Sequence, residues 1–174
     1  MLKRTIRDNL TQALKKGDEV ACSTLRMLLA AILNKEKEKK YKEKIEEEAE
    51  LTDEEVVEVI SSEIKKRKEA ILEFSAFAEG GEKDRIKRDK MKKKVKNFIK
   101  KEKAEKEVLE KYLPEQLSEE EIRKLAKEAI EEVGAKEIKD MGRVMAEIMP
   151  KVKGKADGDT VSKIVKDILA KAED

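Results

Sequence analysis

Apolar residues recur at spacings of three and four along most of the chain, a pattern that is typical of amphipathic α-helices. The first predicted helix carries a stripe with a four-residue spacing: Leu2, Ile6, Leu10 and Leu14. We expect Gly17 to end this helix and Asp18 to begin the next, which has a wide apolar face over 25–33. Because the turn between them is short, the two helices should pack antiparallel.

The stretch 36–50 has no apolar periodicity, so it is either a solvated continuation of the second helix or a loop. Order resumes at Thr52, because Thr52 and Glu55 have the spacing of a capping box, in which each side chain bonds the other residue's backbone N–H. The third predicted helix ends near Gly80 and Gly81. A fourth, lysine-rich helix follows, and its apolar stripe is thin between Lys100 and Glu107, which is typical of a helix that bridges two bodies.

Pro114 marks the predicted domain boundary. We assign residues 1–113 to a helical N-terminal domain and 114–174 to a small C-terminal domain. Ser118 and Glu121 form a second capping box there, and Gly134 has the position of a left-handed helix cap. Three short helices are predicted in this domain, the second of them ending at Pro150. The predicted fold is therefore all-α, with a long helix that joins the two domains.

The charges of the chain are separated into blocks. The stretch 43–58 has nine acidic residues and one lysine, whereas 83–101 has eleven basic residues and two aspartates. The basic run could follow a nucleic-acid backbone, or it could be an exposed helix face that pairs with the acidic block. Because the sequence shows no signal peptide and no apolar run of membrane-spanning length, we expect a cytoplasmic protein without membrane association.

Enzymatic chemistry has little support in these residues. The chain has no histidine, the commonest general base and metal ligand at neutral pH. Its one cysteine, Cys22, lies on an apolar helix face and reads as a small buried hydrophobe. Acidic pairs such as Asp53 and Glu54 read as a solvated face rather than a metal site. With no phosphate-binding or nucleophile motif either, we expect no catalytic residue, no metal and no cofactor.

The stretch EIMPKVKGKADGDTVSKIV, residues 147–165, is the strongest candidate for a binding site. If Lys151, Lys153 and Lys155 lie on an extended segment, their alternation places all three ammonium groups on one side and Val152 on the other. Gly154 and Gly158 would permit positive φ angles, and the helix that follows would offer unpaired N–H groups to an anion. The alternative is a surface loop with glycines for turns and lysines for solubility.

Two further features bear on partners. Met141, Met145 and Met149 share a helix face, which reads as core packing in preference to an adaptable binding surface. Aromatic residues are sparse, so any contact with RNA is expected to read backbone and shape rather than base sequence.

Several segments together resemble the YqeY-like proteins, whose C-terminal part is the tail domain of the GatB subunit of the tRNA-dependent amidotransferase. The resemblance rests on these segments: LRMLLAAILNKEKE, LTDEE, IKKRKEAILEF, YLPEQLSEEEI and VGAKEIKDMGRVMAEIMPKVKGKADGDTVSKIV. It implies a helical N-terminal domain followed by a helical tail that contacts tRNA. The family usually has arginine where this chain has Lys155, and lysine lacks the bidentate fork of arginine. The stretch 82–106 is also longer and more basic here than in relatives.

Carried onto this chain, the resemblance implies an RNA-binding surface made by these residues: Lys139, Arg143, Lys151, Lys153, Gly154, Lys155, Asp157 and Gly158. The first functional hypothesis is a non-catalytic module that binds tRNA or another structured RNA. The alternative is a helical adaptor that holds a protein partner such as an aminoacylation or amidation enzyme. The resemblance includes no part of GatB's catalytic domain, so a carbon–nitrogen ligase activity with glutamine as amido donor would be inherited from the family only in name. The sequence does not indicate an oligomeric state.

Overall fold

The computed structural model describes residues 1–44, 47–79 and 85–170, with the side chains of 77–79 and 85–90 left outside the description. These residues form seven α-helices and one short 3-10 helix, with no β-strand among them, which confirms the all-α prediction. The α-helices are α1 Leu2–Lys16, α2 Glu19–Glu43, α3 Asp53–Glu79, α4 Arg85–Glu110, α5 Glu119–Val133, α6 Met141–Val152 and α7 Gly158–Ala170, and the 3-10 helix is Ile138–Asp140.

The chain forms two compact units, Met1–Tyr112 and Leu113–Asp174. In the first unit α3 packs along α4, α1 packs on α2, and α2 also contacts α3 and α4. Its fully buried side chains come from all four helices: Ile6, Leu25, Leu28, Ile32, Val56, Ile60 and Leu109. The second unit has its own core, in which α5, α6 and α7 pack against one another.

The predicted helix ends are confirmed by their hydrogen bonds. Gly17 has a φ of 68° and ends α1, and the Asp18 carboxylate accepts the Ala21 N–H at the start of α2. At the start of α3, the Thr52 N–H donates to the Glu55 carboxylate (2.7 Å) and the Glu55 N–H donates to the Thr52 hydroxyl (3.2 Å). These bonds satisfy N–H groups that a helix start leaves unpaired.

The predicted stripe of α1 is wrong at its C-terminal end. Leu14 is 50% exposed, whereas Ile6 and Ala13 are buried. A four-residue spacing advances about 40° per step relative to the helical period, so three steps turn the side chain by roughly 120° away from the first. Leu14 has rotated off the buried face, and Ala13 takes its place against the core.

The stretch after Lys35 is a helix, not a loop, as far as Glu43. It is anchored on its inner side by charged side chains: Glu36, 6% exposed, accepts from the Lys3 ammonium at 2.6 and 2.8 Å, and Lys39 donates to Glu55 at 2.8 Å. Ion pairs therefore continue the contact of α2 with its neighbours where the apolar residues stop.

Buried charges also account for the thin apolar stripe of α4. Glu105 is 3% exposed and lies opposite Arg67 of α3, which is 4% exposed. The Arg67 Nε and Nη2 atoms donate to Glu105 at 3.2 and 3.0 Å, and its Nη1 donates to the Glu63 carboxylate at 3.1 Å. Burial opposes ionisation of Glu63, but hydrogen bonds from Lys66 and Arg67 outweigh it and lower the pKa of this carboxyl. A charged cluster thus replaces apolar packing between α3 and α4.

The second unit begins and turns as predicted. Ser118 caps α5 through a complete capping box with Glu121, and Gly134 ends α5 with a φ of 63°. The buried cluster of this unit consists of Ile122, Ala126, Ala129, Ala135, Val144, Ile148, Val152, Val161, Ile164, Val165 and Leu169.

The prediction that α6 ends at Pro150 is wrong, because the helix continues to Val152. Proline in the last turn removes one backbone hydrogen bond. Continuing the helix, however, places Val152 four residues beyond Ile148 and eight beyond Val144, and all three side chains are completely buried. Burial of a valine side chain is worth about 1.5 kcal/mol or more, which offsets the lost bond.

Candidate nucleic-acid interface

The loop 153–157 between α6 and α7 is a compact turn and not an extended segment. Lys151 and Val152 belong to α6, and the N–H groups of Lys155 and Ala156 both donate to the Val152 carbonyl, at 2.9 and 3.0 Å. Gly154 has a φ of 71°, which confirms the positive φ predicted for it. The expected alternation of lysines is therefore wrong, although Val152 does point into the core.

The segment that precedes α5 holds this turn in place. The Leu117 N–H donates to the Lys155 carbonyl at 2.8 Å. The Gln116 side-chain amide donates to the Gly154 carbonyl and to the Pro114 carbonyl, both at 2.9 Å. The sequence analysis missed Gln116, whose only signal was a polar residue between Pro114 and the Ser118 cap. The carbonyls of the turn thus face the 114–117 segment.

Lys151 is engaged by two carboxylates. Its ammonium donates to Glu132 of α5 at 2.6 Å and lies 3.1 Å from Glu147, one turn back on α6. These partners raise the pKa of Lys151, and the hydrogen bond from Lys151 lowers the pKa of Glu132. The local charge is mixed, so a phosphate would have to compete with both carboxylates for this lysine. Lys153 and Lys155 have exposed side chains.

Asp157 and Gly158 form the start of α7. The Asp157 carboxylate accepts the Asp159 N–H at 3.0 Å, and the Asp157 carbonyl accepts the Val161 N–H at 3.0 Å. Asp157 is therefore a helix cap, and its negative charge occupies part of the position predicted for an anion. Gly158 does not adopt the positive φ that glycine would permit there, because it is the first residue of α7.

Lys139 and Arg143 lie at the other end of α6. Lys139 pairs with Glu137 at 2.6 Å. Arg143 donates to the Val133 carbonyl at 2.8 Å and approaches Asp140 at 3.4 Å. N–H groups of Lys136 and Glu137 donate to Asp140 and, with Arg143, lower its pKa. Arg143 therefore ties the C-terminal end of α5 to the start of α6.

The eight predicted site residues thus form two groups and not one surface. Lys139 and Arg143 lie at the start of α6, and 151–158 lies at its end. A helix of 12 residues is about 18 Å long. Because Arg143 is held at Val133 and Lys151 at Glu132, a ligand that extends along α6 would be needed to contact both groups as they stand.

The three methionines on one face of α6 differ in their exposure to solvent. Met141 and Met145 are partly buried and pack against the core, as the core-packing interpretation expects, whereas Met149 is 38% exposed. The sulfur side chains of α6 therefore contribute mainly to packing.

Several lysines of the basic run lie on one side of α4, whereas the charged residues of the second unit are mixed in sign. Its side chains are described from Met91 onward, and Val95 is buried against α3 while the lysines point outward. Five of them lie within about 100° of arc around the helix axis and extend over roughly 17 Å. These residues, which we call the α4 lysine face, are Lys92, Lys93, Lys96, Lys100 and Lys103, all exposed. None of the five forms an ion pair with another residue that the structure describes.

Comparison with known protein families is decisive on membership. The family described as Yqey-like protein matches residues 3–169, which is nearly the whole chain. The chain belongs to the YqeY-like family. No curated protein matches it significantly. The match includes α1 to α7, so the family pattern spans both compact units and not the tail alone.

Two further findings on this YqeY-like chain concern metal ions and membranes. Within the described ranges, no three His, Cys, Asp or Glu side chains are grouped so that they could hold a metal ion. Among the same residues, no helix is both long enough and apolar enough to cross a membrane. Cys22 is buried, in agreement with its assignment as a core residue.

Proposed function

We propose that this YqeY-like chain is a non-catalytic module that binds tRNA or another structured RNA through its phosphate backbone. The observation that carries the proposal is the α4 lysine face. Five exposed ammonium groups on one side of a helix, with no carboxylate partner among the described residues, form a concentrated positive surface. Phosphate backbones bind to such surfaces with release of their counterions.

The dimensions of this face suit a backbone and not a single ligand. Its length of roughly 17 Å is about that of five phosphate steps along one strand, taking about 3.4 Å of helix axis per step as in duplex DNA. Lysine is a point charge on a flexible stem, so it follows a phosphate backbone without requiring a fixed geometry. Recognition would therefore depend on the shape and charge density of the RNA.

The tail loop would supply a secondary contact. Lys153 and Lys155 are exposed on a turn whose carbonyls are held by Gln116 and Leu117, so their backbone positions are fixed before a ligand arrives. The resemblance of this segment to the tRNA-contacting tail of GatB supports the same role. Lys151 would first have to be released from Glu132 and Glu147 before it could contact a phosphate.

The test is equilibrium binding of bulk tRNA to the full chain and to the Lys92→Gln/Lys96→Gln/Lys100→Gln variant. We expect the variant to bind at least 10-fold more weakly, because three phosphate contacts are lost. The matched control is Lys124→Gln/Lys127→Gln/Lys163→Gln, which removes the same charge from exposed positions of α5 and α7. Equal weakening by both variants would show an effect of net charge and contradict a localised RNA surface.

The second candidate is a helical adaptor for a protein partner. It is favoured by apolar side chains that remain exposed on the first two helices, Leu14, Met27 and Leu33, each 50% exposed. Exposed apolar side chains contribute to protein interfaces when they form a patch, although single exposed apolar residues are common on any surface. A pull-down before and after RNase treatment discriminates the two functions. Partners that persist after the treatment support the adaptor, and loss of all partners supports RNA.

A further inference from the structure

Tyr41 is presented to solvent to an unusual degree for an aromatic residue. It lies in the last turn of α2, and 87% of its surface is exposed. The other aromatic side chains with described contacts have protein partners: Phe74 and Phe98 have ring centroids 4.2 Å apart, and the Tyr112 hydroxyl accepts from Asn9 at 2.9 Å. Tyrosine is usually at least partly buried, so its exposure distinguishes Tyr41 from these other aromatic residues.

Lysines surround this ring. Lys37, Lys40, Lys42 and Lys44 lie, together with Tyr41, around one shallow and open surface at the end of α2. Lys37 lies one turn before Tyr41, and Lys44 lies three residues after it, so both are on the tyrosine's side of the helix. Of the nearby carboxylates, Glu38 is paired with Lys35 at 3.0 Å. Glu43, two residues after Tyr41, is also exposed, so the ring lies among lysines and glutamates, with lysines the more numerous over 37–44.

We propose that Tyr41 stacks on an unpaired base of a bound RNA while Lys37, Lys42 and Lys44 contact the phosphates on either side of that base. This inference rests on the RNA-binding function proposed above and identifies the part of the RNA that this end of α2 binds. An aromatic ring with adjacent cations is the arrangement by which proteins hold single-stranded nucleic acid, since every base has a π-face. Duplex RNA does not expose a base face to such a ring.

Tyr41 lies at the C-terminal end of α2, where a phosphate would need nearby cations in order to bind. Carbonyls at the end of α2 present partial negative charge, which would repel a phosphate. The Lys44 N–H donates to the Lys40 carbonyl and Lys44 has a φ of 53°, so the chain turns back at this residue in the left-handed conformation. The lysine side chains near Tyr41 oppose this carbonyl charge, and they are the groups that a phosphate could contact here.

The chain has no tryptophan, so a tryptophan introduced by substitution would be the only source of indole fluorescence. In the full-length Tyr41→Trp variant the only indole would be at the proposed stacking position. We expect a 10-nucleotide single-stranded RNA to quench its emission at saturation, and a duplex of the same length to leave it unchanged. Tyr41→Ala should bind the single strand about 10-fold more weakly with the same dependence on salt, because stacking and not charge is lost.

Conservative and matched variants separate stacking from folding. Tyr41→Phe keeps the ring and should bind the single strand within about twofold of the parent. Lys44→Gly removes a charge at a position where glycine suits the positive φ, so it should weaken binding and flatten the salt dependence without loss of helix. Leu72→Ala, at a side chain of the same unit that is 69% exposed, should have no effect on RNA affinity.

The outcomes distinguish the two proposals. If the parent binds both RNAs but Tyr41→Ala binds the single strand equally well, or the tryptophan emission is not quenched at saturation, the stacking inference is wrong and RNA binding stands. If the parent binds neither RNA at low salt, the proposed function itself is wrong, and the stacking inference is overturned with it.

Discussion

Gly154 and Gly158 differ in why glycine suits their positions. Gly154 has a φ of 71°, in the left-handed region that costs other residues about 1–2 kcal/mol. Gly158 is the first residue of α7, and a Cβ added there would lie 3.7 Å from the Met149 Cε, an ordinary contact distance. From the sequence both glycines could adopt positive φ, because the residue type alone does not distinguish a turn from a helix start.

Substitution should separate these roles. Gly154→Ala is expected to lower the free energy of unfolding of the second unit by about 1–2 kcal/mol, since alanine must adopt the left-handed conformation. Gly158→Ala is the matched control and should change it by less than about 1 kcal/mol, with stabilisation the expected direction. Urea denaturation monitored by circular dichroism measures both. Equal destabilisation by the two substitutions would contradict the assignment.

The contact between α3 and α4 depends on a buried charge cluster. Arg67 has four hydrogen bonds, one to the Glu63 carbonyl and three to the carboxylates of Glu63 and Glu105. The sequence showed only a thin apolar stripe in α4. Arg67 and Glu105 are 38 residues apart, and nothing in the local pattern of either helix indicates which distant charge will be buried against it.

Breaking this cluster should be costly, whereas replacing all of it should not. Arg67→Met removes the buried cation from Glu63 and Glu105, whose remaining partners are the exposed Lys66 and Lys101, and is expected to lower the free energy of unfolding by about 3–5 kcal/mol. Arg67→Met/Glu63→Leu/Glu105→Leu should recover most of that loss. Lys101→Met is the control, because Lys101 is an exposed partner of Glu105 at 3.7 Å and should contribute less than about 1 kcal/mol. A large loss in that control would indicate a general effect of charge on α4.

The cluster also predicts how stability depends on pH. The pKa of Glu63 is lowered from its ordinary value of 4.5, so the folded state binds this proton less tightly than the unfolded state. Its stabilising contribution is present above pH 4.5 and is lost as the pH falls through the lowered value. We expect stability to decline below pH 4.5, and Glu63→Gln to make that decline shallower. Urea midpoints measured between about pH 3 and pH 7 test this. If the stability of Glu63→Gln declines as steeply with falling pH as that of the parent, the assignment is wrong.

The pKa of Glu102 is shifted in the opposite direction to that of Glu63. Burial and the charge of Glu105 raise its pKa, so its ionisation opposes folding as the pH rises through that value. Glu102→Gln should therefore leave stability unchanged or raise it at pH 7, by less than about 1 kcal/mol because the side chain is only partly buried. A clear loss of stability at pH 7, measured by the same urea titration, would show that Glu102 forms a stabilising pair instead.

At the scale of the whole molecule, each unit has a separate apolar core. The second unit, Leu113–Asp174, has eleven buried residues in one cluster. We predict that a fragment of residues 113–174 folds alone, with a cooperative thermal transition at 222 nm by circular dichroism. A gradual loss of helix on heating, without a transition, would show that its core needs the rest of the chain.

Most helices and their starts could be predicted from the sequence, because periodicity and capping boxes act over three or four residues. Thr52 with Glu55 and Ser118 with Glu121 are examples. The geometry of the tail could not be predicted, because it depends on distant partners. Burial of Val152 carries α6 past Pro150, and Lys151 bonds a glutamate 19 residues away. Tyr41 lay in a stretch without periodicity, and only its exposure distinguishes it.

The salt dependence of tRNA binding tests the central proposal most directly. For the full chain we expect log Kd to rise linearly with log salt concentration, with a slope of roughly 0.7 to 0.9 for each phosphate contacted. The Lys92→Gln/Lys96→Gln/Lys100→Gln variant should show a slope lower by about 2 to 3. Binding that does not vary with salt, or the same slope for parent and variant, would contradict RNA recognition by the α4 lysine face.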